Sequence, residues 1–224
     1  MTKRRRPKFI DRVALRFSTG RLVDGLWIGV AFATEPEPIL RRVEEALRLI
    51  KLHDELRYRR LVRDLKRIWV RDLPGALGTF NKEFQACSLD MEYVRAETTR
   101  PESIAAVIVH EATHARLDRC GIDYKEELRP RIEAVCFRRE LAFAARLPSG
   151  EQVRQEAERR LAAYASPDYW TNAAFAQRFD NDHIETLRGI GAPDWVGRTV
   201  IALRGPYQRV RRFLKFTGRQ FLNR

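Results

Sequence analysis

The chain has 224 residues, 44% of them hydrophobic, with 43 Lys and Arg against 30 Asp and Glu and a formal net charge of +13. That length and apolar content suit a single packed core and exclude an intrinsically disordered chain, while the lack of any run of roughly eighteen uncharged apolar residues argues against a transmembrane helix. The positive charge fits an anionic partner, either nucleic acid or a membrane surface, and equally a plain solvated surface.

Residues 1–34 read as a basic N-terminal arm opening with Lys3-Arg4-Arg5-Arg6-Pro7-Lys8. Within it Gly25–Ala33 (GLWIGVAFA) is apolar. Arg21 and Asp24 intrude just before it, so a buried strand or short helix fits better than the apolar region of a cleaved signal. Residues 35–196 form the expected domain, and 197–224 an arginine-rich C-terminal tail with interleaved aromatics.

From Pro38 to Lys66, apolar residues such as Ile39, Val43, Leu47 and Ile50 recur at three- and four-residue steps, which predicts a helix. The period then changes. Ile68–Val70 and Ala76–Phe80 read as short strands flanking a turn at Leu73-Pro74-Gly75, and Phe84–Leu89 and Met91–Val94 continue the extended character. Thr99-Arg100-Pro101-Glu102 has the form of a capping box and announces a helix running to Cys120, with Gly121 as its stop. The first half of that helix is apolar all round, which marks it as buried. Further helices are predicted from Pro130 to before Pro148 and from Glu151 to Ala165. The order predicts an α+β fold, with a small sheet packed on helices.

The buried helix carries His110-Glu111-Ala112-Thr113-His114, an HExxH motif. Positions four apart share one helical face, so both imidazoles can reach one zinc ion, about 2.0–2.1 Å from each nitrogen. Glu111 sits about 100° round the helix, where it can flank the metal and take a proton from water as a general base. Cys87, Cys120 and Cys136 form no CxxC pair, so a cysteine zinc cluster and a disulfide framework are both unexpected. A reducing, cytoplasmic compartment fits, with peripheral attachment to a membrane as a variant.

A third metal ligand has to come from elsewhere. The extended motif with a third histidine fails, because Leu117 and Cys120 stand where Gly and His would be needed. Carboxylates are the alternative, with Asp118, Asp123, Glu126, Glu127, Glu133 and Glu140 as candidates. Glu133 lies early in the following helix, where packing against the motif helix would point it at both histidines.

HExxH followed by Glu133-Ala134 on the next helix resembles the gluzincin clan of zinc metallopeptidases, to which thermolysin-like enzymes belong. The resemblance covers about residues 66–147 and is to the small single-domain members. It implies a zincin-like fold with a short mixed sheet above the active-site helix. It also implies zinc held by His110, His114 and Glu133, and hydrolysis of peptide bonds in a peptide or protein substrate. An edge strand around Leu89–Val94 would bind substrate backbone. Clan members often support a histidine from an Asp or Ser three or four residues after the ligand Glu; here Cys136 and Phe137 stand there, and Glu140 is the reserve ligand. Tyr124 and His183 are the candidate stabilisers of the transition-state oxyanion. The rival expectation is a catalytically inactive module of this fold that binds nucleic acid or an anionic membrane surface through its basic ends.

Overall fold

The computed structural model describes residues 9–73, 75–164, 166–189 and 193. Among them the fold is α+β, with one five-stranded mixed sheet and eight α-helices. After α1 (Phe9–Arg16), strands β1 (Thr19–Val23) and β2 (Leu26–Val30) form an antiparallel hairpin. Asp24 and Gly25 make its two-residue loop at φ 50° and 83°, the positive values that let a tight loop follow the twist of the strands. β3 (Arg67–Arg71) runs parallel to β2, and β5 (Ala86–Asp90) runs parallel to β3. β4 (Gly78–Asn81) closes the sheet as the antiparallel neighbour of β5, giving the order β1-β2-β3-β5-β4.

The stretch 1–34 is therefore more than an arm. Leu26, Ile28 and Val30 are buried, so this segment supplies two strands of the sheet, and Gly25–Ala33 contains the strand β2. Residues 1–8 and the basic tail 197–224 lie outside the described residues.

The helix expected over Pro38–Lys66 is two helices, α2 (Pro36–His53) and α3 (Glu55–Asp64). Asp54 breaks the run at φ −150° and ψ 69°, and its Oδ1 accepts the Arg57 amide at 3.1 Å, capping α3. A similar cap corrects the extended reading of Met91–Val94. Asp90 Oδ1 accepts the Tyr93 amide at 2.9 Å and starts the short helix α4 (Met91–Arg95).

One face of the sheet, through Ile28, Val30, Ile68, Val70, Cys87 and Leu89, packs on α2 and on α5 (Pro101–Arg119). The other face carries Trp69, Phe84 and Ala86 against Ala14 and Leu15 of α1. The Trp69 indole is fully buried there and donates to Ser18 Oγ at 2.9 Å. As its composition predicts, α5 is buried on all sides along Ser103–Ala112. The Thr99–Glu102 capping box does not form. With Pro101 opening the helix, Arg100 takes the cap position and pairs with Glu102 at 2.9 Å, while the Thr99 amide turns back to Ala96 O at 3.0 Å. Gly121, at φ 80°, ends the helix as expected. α6 (Arg129–Ala144) then returns along α5, followed by α7 (Glu151–Ala163).

The chain divides into two compact units, Met1–Thr171 and Asn172–Arg224. The described part of the second is the helix α8 (Asn172–Gly189), together with Pro193. No helix among the described residues is long and apolar enough to cross a membrane.

Candidate metal centre

His110 and His114 stand one turn apart on α5 with ring centroids 5.1 Å apart. Facing them, α6 brings Glu133, whose Oε2 lies 3.1 Å from His110 Nε2 and whose Oε1 lies 3.4 Å from His114 Nε2. One carboxylate thus spans both imidazoles. The Phe137 ring packs edge-on against His110 at 4.9 Å and lines the site with apolar surface.

Glu140, two turns further along α6 and with no solvent exposure, reaches the opposite side of His110. Its Oε2 lies 3.0 Å from His110 Nδ1, and its Oε1 accepts a 2.7 Å hydrogen bond from Arg160 of α7. It therefore stands as the partner of His110 on the side of the ring away from Glu133. With a carboxylate at each ring nitrogen, His110 is held as an imidazolium. Burial opposes that charge, but the hydrogen bonds to Glu133 and Glu140 win and push its pKa up to about 10. Glu133 moves the other way. Burial alone would raise it, yet its contacts with His110 and His114 hold it well below the usual carboxylate range.

Glu111 is buried, and burial pushes its carboxyl up against the lowering pull of His114 and His110. Strand β4 approaches it closely. A Cβ added at Gly78 would lie 2.6 Å from Val107 Cγ1 and 3.3 Å from Glu111 Cγ, so only glycine lets the strand sit this near α5. The edge of the sheet beside the motif is β4. Leu89 and Asp90 belong to β5, which is paired on both sides, and Met91–Val94 is helical; the edge strand expected there is displaced to Gly78–Asn81.

The charges of this cluster make a demand of their own. Three buried carboxylates, Glu111, Glu133 and Glu140, meet the two imidazoles and one guanidinium, that of Arg160. Buried carboxylates such as Glu133 and Glu140 call for a cation beside them. The His110 proton answers that need, and a divalent metal at the two Nε2 atoms would answer it in the proton's place. The donor set therefore suits a metal. The ligand atoms of His110, His114 and Cys136 also lie within 4.8 Å of one another. That trio is not the His–His–Glu set implied by the resemblance; Glu133 joins the same two histidines through its hydrogen bonds.

Tyr124 reaches the same carboxylate. Its hydroxyl donates to Glu133 Oε1 at 2.5 Å and its ring stands edge-on to His114 at 5.4 Å. Burial of the hydroxyl end and the Glu133 charge push the phenol's pKa up. His183 falls on α8, and its side chain lies outside the described residues. Asp118 and Asp123 pair with Lys82 instead of reaching the histidines. Glu126 and Glu127 sit in the 3-10 turn Glu126–Leu128. The chain matches no protein-family model, no curated protein and no solved structure.

Two site residues escaped the sequence reasoning. The sequence gives Cys136 no second cysteine nearby, and it marks Glu140 as a candidate ligand and not as the support of His110. A usable signal existed: Glu133, Cys136 and Glu140 follow one another at three and then four residues, the spacing of a single helical face.

Proposed function

We propose that this protein is a zinc-dependent hydrolase of peptide bonds with a zincin-like fold, in which His110, His114 and Glu133 hold the metal and Glu111 is the general base. The observation that carries the reading is the convergence of both Nε2 atoms on one buried carboxylate, at 3.1 and 3.4 Å, from a helix that carries HExxH. Zinc held there supplies a Lewis acid that polarises the scissile carbonyl and acidifies water.

The rest falls to the chain's own groups. Glu111, its pKa raised by burial, takes the proton of the attacking water and passes it to the leaving amine. Glu140 and Arg160 fix the ring of His110 so that Nε2 stays aimed at the site. The Tyr124 hydroxyl stands next to Glu133 and is the donor placed to turn toward the developing oxyanion. An extended peptide would add to the free edge of β4, next to Glu111.

Metal content and hydrolysis, measured on wild type and three variants, test this reading. Wild type should hold about one zinc per chain; His114→Ala and Glu133→Gln should lose it, and Glu111→Gln should keep it. A peptide library digested by wild type and left intact by Glu111→Gln completes the case. Wild-type protein purified without chelators that neither contains nor takes up zinc overturns it.

A further inference from the structure

We propose that Cys136 is a fourth protein ligand to the metal and gives the centre a closed, latent form in which no position is left for water. The inference rests on the metal site described above and concerns its regulation. Its starting point is the mutual proximity, within 4.8 Å, of ligand atoms from His110, His114 and Cys136.

Two helices supply the donors in matching pairs. α5 brings His110 and His114 four residues apart, and α6 brings Glu133 and Cys136 three residues apart, so each pair occupies adjacent turns of one face. A tetrahedral site with bonds of about 2.0 Å to nitrogen and about 2.3 Å to sulfur spaces its donors roughly 3.3–3.8 Å apart. For His110, His114 and Cys136 the present limit of 4.8 Å has to shrink by at most about 1.5 Å, and Glu133 joins them through its 3.1 and 3.4 Å contacts with the same two imidazoles. Cys136 has no solvent exposure, and its thiol makes no hydrogen bond among the described residues. A buried thiol that faces two imidazoles and lacks a partner is placed to bind metal: zinc takes the place of the thiol proton, which leaves to solvent, and thiolate is a ligand zinc accepts readily.

The consequence follows from coordination number. Three protein ligands leave an open position, whereas four close the site. With Cys136 bound, Glu111 has no activated water to serve, so wild type turns over only through the fraction of centres from which the sulfur has withdrawn. Withdrawal of the sulfur, which frees one position, converts the closed centre to the open one. The bound form is the more tightly held of the two, since it adds a ligand.

The test reads the coordination itself. X-ray absorption fine structure of zinc-loaded wild type, prepared under reducing conditions, should show one sulfur at about 2.3 Å beside nitrogen and oxygen. Cobalt-loaded wild type should show a thiolate-to-metal charge-transfer band in the near ultraviolet. Cys136→Ala should lose both signals, bind zinc at least about 10-fold more weakly and hydrolyse peptide faster per bound metal. The wild-type spectra need no variant, so a misfolded Cys136→Ala leaves the test intact. Metal-loaded wild type with nitrogen and oxygen scatterers alone overturns the assignment of Cys136 and leaves the His–His–Glu site standing. A sulfur signal that survives in folded Cys136→Ala likewise overturns it. Wild type that binds neither metal overturns both.

Discussion

Replacing Glu140 with glutamine should weaken zinc binding without unfolding the chain. Glu140 holds the back of His110 through Nδ1 at 3.0 Å and is itself held by Arg160 at 2.7 Å. Losing such a support costs about 10- to 100-fold in metal affinity, which is about 1.4–2.7 kcal/mol. Glutamine keeps the size and one acceptor oxygen, so the ring can still be bonded, but its orientation is no longer fixed by charge and the Arg160 pairing is lost. One charge-assisted hydrogen bond is weakened and the other is lost, at a cost to the metal-free protein of about 2 kcal/mol. Competition for zinc against a chromophoric chelator gives the affinity, and denaturant unfolding of the metal-free protein gives the stability. If stability falls while zinc affinity stays within about twofold of wild type, Glu140 is a structural residue and the positioning role is refuted.

Three further outcomes are expected. Because the folded-state pKa of His110 is raised from 6.5 to about 10, its charged form stabilises the metal-free protein fully below pH 6.5, and that contribution is lost as the pH rises through about 10. Denaturation midpoints measured across that window should decline, and zinc binding near pH 8 by Cys136→Ala, which has no thiol proton to displace, should release about one proton from His110, read by calorimetry in buffers of contrasting ionisation enthalpy. A flat profile with no proton release would show that His110 is neutral. Asp54→Ala removes the cap of α3 and the partner of Arg57 and Arg146, at 2.7 and 3.1 Å, and should cost about 2 kcal/mol in chemical denaturation. Gly78→Ala drives a methyl to 2.6 Å from Val107 and against Glu111, and should cost about 1–3 kcal/mol, seen as a lowered Tm; an unchanged Tm would mean that β4 yields freely.

Local chemistry decided what the sequence could disclose of the fold. Helices α5, α6 and α7 are legible because Pro101, Pro130, Gly121 and Gly150 punctuate them, α5 by its unbroken apolar run and α7 by a stripe through Val153 and Ala157. Asp54 and Asp90 do not stand out as caps in the sequence. Neither has a neighbouring Gly or Pro, and the capping bond that changes the backbone is made by a side chain whose geometry leaves no periodic trace. Met91–Val94 alternates well enough to look extended, yet the Asp90 cap turns it into a helix. Sheet order lay beyond reach for a different reason. Placing β4 outside β5 depends on which strands meet after the helices have packed, and no spacing within one strand encodes that.

The site divides along the same line. His110, Glu111 and His114 are related by one helix, so their spacing alone fixes their relation. What they face depends on the angle and register at which α6 lies on α5, and a spacing rule within α5 is silent on both. Yet α6 carries its own clue. Its buried face holds Glu133, Cys136 and Glu140 while Arg138 and Arg139 point outward, so polar groups line the side where apolar ones would ordinarily be. A helix that buries two carboxylates and a thiol on one stripe must meet cations there. The two imidazoles of α5 and the Arg160 guanidinium are the partners that satisfy it. The polarity of that stripe, more than the HExxH motif, ties the two helices into one centre through the carboxylates it sets against the imidazoles and the guanidinium.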